Sequence, residues 1–195
     1  MSKTNYAVNM NLNYKTNRID NVYYTNFLGL TDNTLSWKPH IDQLISKLNS
    51  ACYVIRSLKS LIPLKTLMIY FSSVHSSISY GIIFWGNSTY SNTIFKLQKR
   101  IIRIMMNVGN RESCRELFKK LNILPLHSQD ILSLLLFVVK NINMFKSNLV
   151  VHSINTRHYS DLHLLSVHLS KFQKRVYHSG IKVFNCLPTW IKFIW

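Results

Sequence analysis

From residue 36 onward, apolar positions recur at helical spacing. Ile41, Leu44, Ile45, Leu48, Cys52, Ile55 and Leu58 follow Ser36, a residue suited to cap a helix start. Trp37, directly after that cap, is placed to staple the first turn. Pro63 suits the first turn of a second helix, carried by Leu64, Leu67, Met68 and Phe71 to about Tyr80, with Gly81 as its cap. Residues 82–86 form a short, buried link. The next helix, from about Asn92 to Asn107, has the most distinct pair of faces. Leu97, Ile101, Ile104, Met105 and Val108 make one stripe, and Lys96, Lys99, Arg100 and Arg103, at i, i+3, i+4 and i+7, make the other.

Gly109 and Asn110 interrupt the pattern. A short helix over 112–121 encloses Leu117, Phe118 and Leu121, and Pro125 and Ser128 open a longer one ending near Phe145. Residues 146–170 are polar and His-rich without a period and read as mostly loop. A last helix over 171–184 precedes Asn185-Cys186-Leu187-Pro188. Before residue 36 the period is two. Val8, Met10, Leu12 and Tyr14 alternate with Asn9, Asn11, Asn13 and Lys15, Thr16-Asn17 offers a turn, and Gly29 marks a bend among further short strands over 19–30. The expected fold is mainly α: a short N-terminal β-hairpin element over 1–36, a helical bundle over 37–108, and a further helical region over 109–195.

With 195 residues, 47% hydrophobic and 16% charged, the chain is long and apolar enough to fold around a core without disulfides or metals. Cys52, Cys114 and Cys186 are far apart and form no CxxC pair, which suits reduced packing thiols in an intracellular protein, cytoplasmic or nuclear. No signal peptide is evident. The longest apolar run, 131–139, is broken by Ser133 and too short to span a bilayer. The formal net charge is +17, unevenly placed: residues 1–95 carry 8 Lys and Arg against 3 acids, residues 96–195 carry 16 against 4. Such a surplus points to a nucleic-acid partner before an anionic membrane surface.

The seven acids are Asp20, Asp32, Asp42, Glu112, Glu116, Asp130 and Asp161, and no two are adjacent. Two-metal polymerase or nuclease chemistry needs clustered carboxylates. Only Glu112 and Glu116 share a helix turn, where they balance Arg111, Arg115 and Lys119 as helical ion pairs. The eight His form no HExxH, and neither GxSxG nor a phosphate-cradling glycine loop occurs. No catalytic residue, metal ligand or cofactor site is expected. Aromatics interleave with cations, as over 53–56 and 95–99, where bases could stack, although Trp85 and Phe118 read as core.

Several segments, in order, resemble one family. Phe27-Leu28-Gly29 leads to Leu35-Ser36-Trp37-Lys38-Pro39-His40-Ile41, then Tyr80-Gly81 with Trp85-Gly86, then Leu97-Gln98-Lys99-Arg100 with Arg103. Cys114-Arg115-Glu116-Leu117-Phe118 with Leu121-Asn122-Ile123-Leu124 follow, and Gly180 with Asn185-Cys186-Leu187-Pro188 closes the series. Over roughly residues 20–192 this resembles the C-terminal part of reverse transcriptases of jockey-like non-LTR retrotransposons. The resemblance implies an RNA-directed DNA polymerase fragment. Phe27, Leu28 and Gly29 would form a primer-grip hairpin at the end of the palm. The helices over 37–108 would form a thumb, with Lys96, Lys99, Arg100 and Arg103, and secondarily Lys47, Arg56 and Lys59, on the phosphates of an RNA/DNA duplex. Residues 109–195 would be the family's C-terminal extension.

The family's fingers, its acidic palm pair and the Mg²⁺ which that pair holds have no counterpart in these residues. Asn26 stands where the family commonly has lysine, and the spacing from Gly29 to Asp32 is one residue short. The expectation is a truncated copy binding nucleic acid without sequence choice, with a separate palm and fingers chain as a possible partner. The alternatives are a helical interaction protein for a protein or anionic membrane surface, and a remnant with no function.

Overall fold

The computed structural model describes residues 12–14, 17–19, 25–32, 36–154 and 157–192. Residues 8–11 of the alternating stretch, the turn residue Thr16, Asp20 and Leu35 lie outside the described residues. The fold is mainly helical. Two short antiparallel pairs come first: β1 (Leu12–Tyr14) with β2 (Asn17–Ile19), and β3 (Thr25–Phe27) with β4 (Leu30–Asp32). Phe27 opposite Leu30 closes a two-residue loop, in which Leu28 and Gly29 both take positive φ, as that tight turn requires.

Helix α1 (Lys38–Leu58) starts two residues after Ser36. Its N-cap is Trp37 in the left-handed region, and Pro39 sits in the first turn. Ser36 still serves the start, because its Oγ accepts the Lys38 N–H at 3.4 Å. Rather than only stapling the turn, Trp37 stacks on Phe84 at 6.0 Å between centroids. Helix α2 (Leu64–Ser79) follows Pro63, and α3 (Ile82–Trp85) is a single turn that buries Trp85 completely and ties its Nε1 to the Tyr80 carbonyl at 3.0 Å. Gly81, at φ 61, permits the turn between them; a Cβ there would meet the Leu30 side chain at 2.6 Å. The Tyr80 hydroxyl donates to the Leu28 carbonyl, so the β3–β4 turn is held against the α2–α3 junction.

Helix α4 (Ser91–Met106) runs beside α1, with α5 (Arg115–Lys120) against its other flank. Helices α1–α5 share one core with Ile41, Leu48, Phe71, Trp85, Ile101 and Phe118 at its centre. The start of α6 (Leu126–Lys140), Leu126, belongs to that core, whereas Val138 near its end belongs to a second. The second core adds Phe145, Leu162, Ile181 and Phe184. A 3₁₀ turn (Ile142–Met144) and α7 (Asn148–His152) lie between.

The expected helix over 171–184 is two helices, α8 (Ser170–Gln173) and α9 (Val176–Asn185), followed by α10 (Thr189–Lys192). Arg175 between them is extended, at φ −69 and ψ 151, and the Gln173 carbonyl accepts the Ser179 Oγ–H, which holds the corner. The loop over 146–170 is pinned in place too. Asn185 bonds both the N–H and the carbonyl of buried Leu162 at 2.9 Å each, and Ser147 bridges Leu162. Cys52 and Cys114 are buried as packing thiols, but Cys186 is exposed. Among the described residues no helix is long and apolar enough to cross a membrane.

One acid is buried at the joint between the cores. Asp130 on α6 is 8% exposed, its Oδ1 has no hydrogen-bond partner, and it fits because Gly86 has no side chain. Burial pushes its pKa up to about 6. The folded chain therefore keeps this proton over a pH range in which the unfolded chain has released it, and folding loses stability as pH rises from about 4 to about 6. Buried His40 and half-buried His75 titrate in the opposite sense, since burial holds their pKa values below the usual imidazole range. A difference measurement isolates Asp130. Asp130→Asn should stabilise the chain by up to roughly 3 kcal/mol at pH 7, at about 1.4 kcal/mol per pKa unit, with the gain fading toward pH 4. Denaturant melts of both proteins across that range check it.

Candidate functional site

The described residues place the two basic helices side by side and pointing the same way. At their starts the Lys38 Nζ lies 6.0 Å from the centroid of the Tyr90 ring, and at their ends the Lys59 Nζ donates to Asn107 Oδ1 at 2.7 Å. Between these ties, Arg56 of α1 and Arg100 of α4 flank Cys52. Burial pushes the Cys52 thiol up, and the two guanidiniums oppose that shift, Arg100 more than Arg56. Arg56, Lys59, Lys96 and Arg100 are all exposed, and no carboxylate of the described residues makes a salt bridge with them. Arg56, Lys59 and Arg100 line one cationic edge of the α1–α4 pair with Lys38, and Lys96, one turn before Arg100, continues it along the outer face of α4.

The other expected site residues are occupied differently. Arg103 donates from Nε (3.0 Å) and Nη2 (2.8 Å) to the Glu112 carbonyl, closing the loop between α4 and α5. Lys99 folds over the Phe95 ring at 4.5 Å, on the α5 side of α4, where Phe95 stacks with Phe118. Lys47 precedes Arg56 by nine residues, half a turn out of phase at about 100° per residue. It lines a groove on the α2 side with Tyr70 and Ser77. Phe27 and Leu28 project from the β3–β4 turn at 69% and 73% exposure. Of the expected helical ion pairs, Glu116 forms one with Lys119 at 3.0 Å, at i, i+3, whereas Glu112 Oε1 accepts the Gly109 N–H at 3.1 Å. Glu112 is drawn away because Gly109 lies one tight turn before it.

The buried face of α4 is also turned from the expected stripe. Ile94, Gln98, Ile101, Ile102 and Met105 are inside, while Leu97 and Ile104 sit at the margin. Gln98 is fully buried. Its Nε2 donates to the Leu124 carbonyl at 3.1 Å and its Oε1 accepts the Leu126 N–H at 3.0 Å. A carboxamide there replaces the missing helical partner of the first α6 N–H and satisfies a carbonyl of the preceding link. The sequence signal was available: Ile94, Gln98, Ile101 and Met105 follow a 4-3-4 spacing that puts the glutamine in mid-stripe.

Among the described residues, no three His, Cys, Asp or Glu side chains converge as a metal site would need. What the edge can do chemically is attract a row of anions. No protein-family profile, curated protein or solved structure matches this chain.

Gln98→Ala leaves the buried Leu126 N–H without its partner and should cost about 1–3 kcal/mol in urea unfolding, whereas Lys96→Ala should stay within about 0.5 kcal/mol of the parent.

Proposed function

We propose that the chain is the thumb and C-terminal part of a jockey-like non-LTR reverse transcriptase, and that the α1–α4 edge holds a template–primer duplex by its phosphates. The observation that carries the reading is the edge itself: Arg56, Lys59, Lys96 and Arg100 exposed on two parallel helices without carboxylate partners. The ordered motifs from Phe27 to Pro188 and the +17 formal charge support it. From Lys96 to Asn107 the edge extends roughly 16 Å at 1.5 Å per residue. That length passes several phosphates of one strand, spaced about 3.4 Å along the duplex axis. Contacts of this kind set affinity and register but read no sequence.

In the same reading, β3–β4 is the primer-grip hairpin, with Phe27 and Leu28 facing the primer end, α1–α4 are the thumb, and the helices from α5 onward are the extension. The Mg²⁺ of the parent polymerase needs paired acids. The described acids do not fit that ion: Asp130 is buried alone, and Asp161 is engaged by Lys192 at 2.7 Å and His158 at 2.9 Å. No catalytic step is assigned to this chain; a palm-bearing chain would supply it, inside the cell where such a duplex is made.

Fluorescence polarisation of an RNA/DNA duplex across a salt series tests the reading. Replacing Arg56, Lys59, Lys96 and Arg100 by Ala should reduce the salt slope by up to about 3.6, at about 0.9 per phosphate contact. Lys47→Ala should leave the slope unchanged. An unchanged slope in the fourfold variant, or binding to anionic vesicles as strong as to duplex at matched salt, would contradict it.

A further inference from the structure

A cavity of about 540 Å³ opens where α1 begins, where α3 leads into α4 and where α8 turns into α9. That is the size of small-ligand sites, about 300–1,000 Å³. Four of its walls are aromatic: Trp37, Phe84, Tyr90 and Tyr177. Neighbours hold these rings in place, Trp37 stacking on Phe84 and Tyr177 on Phe145 at 4.8 Å, yet Phe84, Tyr90 and Tyr177 keep 48%, 41% and 40% of their surface open.

Opposite charge would be welcome here. Lys174 and Arg175, at the corner between α8 and α9, both line the cavity, and among the described residues no carboxylate does. The Lys174 Nζ lies 3.3 Å from Thr89 Oγ1, which ties the corner to the loop before α4. Helices α4 and α9 both start at this cavity, and neither start has a capping side chain, so their positive ends add to the two cations.

Rings and cations lining one cavity call for an aromatic anion. A bare phosphate would leave the rings unused, and a neutral aromatic would leave the cations unused. We propose that this cavity binds a nucleotide, its base on the aromatic walls and its phosphate at Lys174, Arg175 and the start of α9. The source is a free mononucleotide or the unpaired last nucleotide of a strand. Lys38 over the Tyr90 ring links the cavity to the α1–α4 edge, so a duplex lying on that edge would bring its end here. The nucleotide site stands on its own residues; only the strand-end source rests on the duplex reading.

Calorimetric titration of the full chain with AMP, adenosine and inorganic phosphate tests the site. AMP should bind at least about tenfold tighter than either alone, a difference of about 1.4 kcal/mol. The Lys174→Ala/Arg175→Ala variant and Tyr90→Ala should each lose that advantage, Tyr90→Phe should keep it, and Lys96→Ala/Arg100→Ala should leave it intact even where duplex binding is lost. AMP binding no tighter than phosphate, or insensitive to both cavity variants, would overturn the proposal. A duplex with a one-nucleotide overhang, compared with a blunt one, then separates the sources. A gain erased by the cavity variants assigns the strand end, and AMP binding without such a gain assigns the free mononucleotide.

Discussion

The position of α6, and through it half of the molecule, depends on one buried carboxamide. Gln98 lies in the middle of the inner face of α4 and bonds the backbone on both sides of Pro125. The Leu126 N–H lies inside the core and would otherwise go unpaired, at a cost of about 1–3 kcal/mol. The glutamine thus fixes where α6 begins, and α6 carries the chain from the first core, at Leu126, to the second, at Val138. Asn185 repeats the device at the far end, clasping both backbone groups of Leu162 and so closing the 146–170 loop over the second core. Both carboxamides come from segments that carry the family resemblance, Leu97-Gln98-Lys99-Arg100 and Asn185-Cys186-Leu187-Pro188. Their work is to satisfy buried backbone.

Once the inner face of α4 is set by Gln98, the rotation of the helix determines what each cation meets. Arg100 turns toward Cys52 and Arg56 of α1, Lys96 stands on the outer face one turn before it, and both stay exposed. Lys99 and Arg103 turn toward α5, where one covers Phe95 and the other closes the loop at Glu112. Four cations spaced evenly on a helix therefore divide into two that face outward along the α1–α4 edge and two that hold the fold together. The same parallel pairing of α1 and α4 brings their starts together at the aromatic cavity, so the edge and the cavity are two consequences of one packing arrangement.

Periodicity alone predicts α1, α2, α4 and α5 to within a few residues, because each buries an apolar stripe; it reads the single turn of α3 as a link and runs α6 on to Phe145. It missed what depends on single polar contacts. The stripe of α4 was drawn through Leu97 and Ile104 because Gln98 is polar, yet a polar residue with both backbone partners supplied is at home in a core. Periodicity gives the last helix no break, because nothing at Lys174 and Arg175 forbids helix; the corner is made by Ser179 reaching back to Gln173. The candidate cations were all legible as residues, but their grouping was not. That Arg56 and Lys59 join Arg100, while Lys47 on the same helix faces away, follows from which side of α1 meets α4.

Chemical footprinting of lysines in the presence and absence of an RNA/DNA duplex at low salt tests that grouping most directly. Lys59 and Lys96 should become less reactive when the duplex is added, while Lys47, on the far side of the same helix as Arg56, should react at its free rate. Protection of Lys47 equal to that of Lys96, or no protection of Lys59 and Lys96 under conditions where the duplex is bound, would contradict the α1–α4 edge as the binding surface.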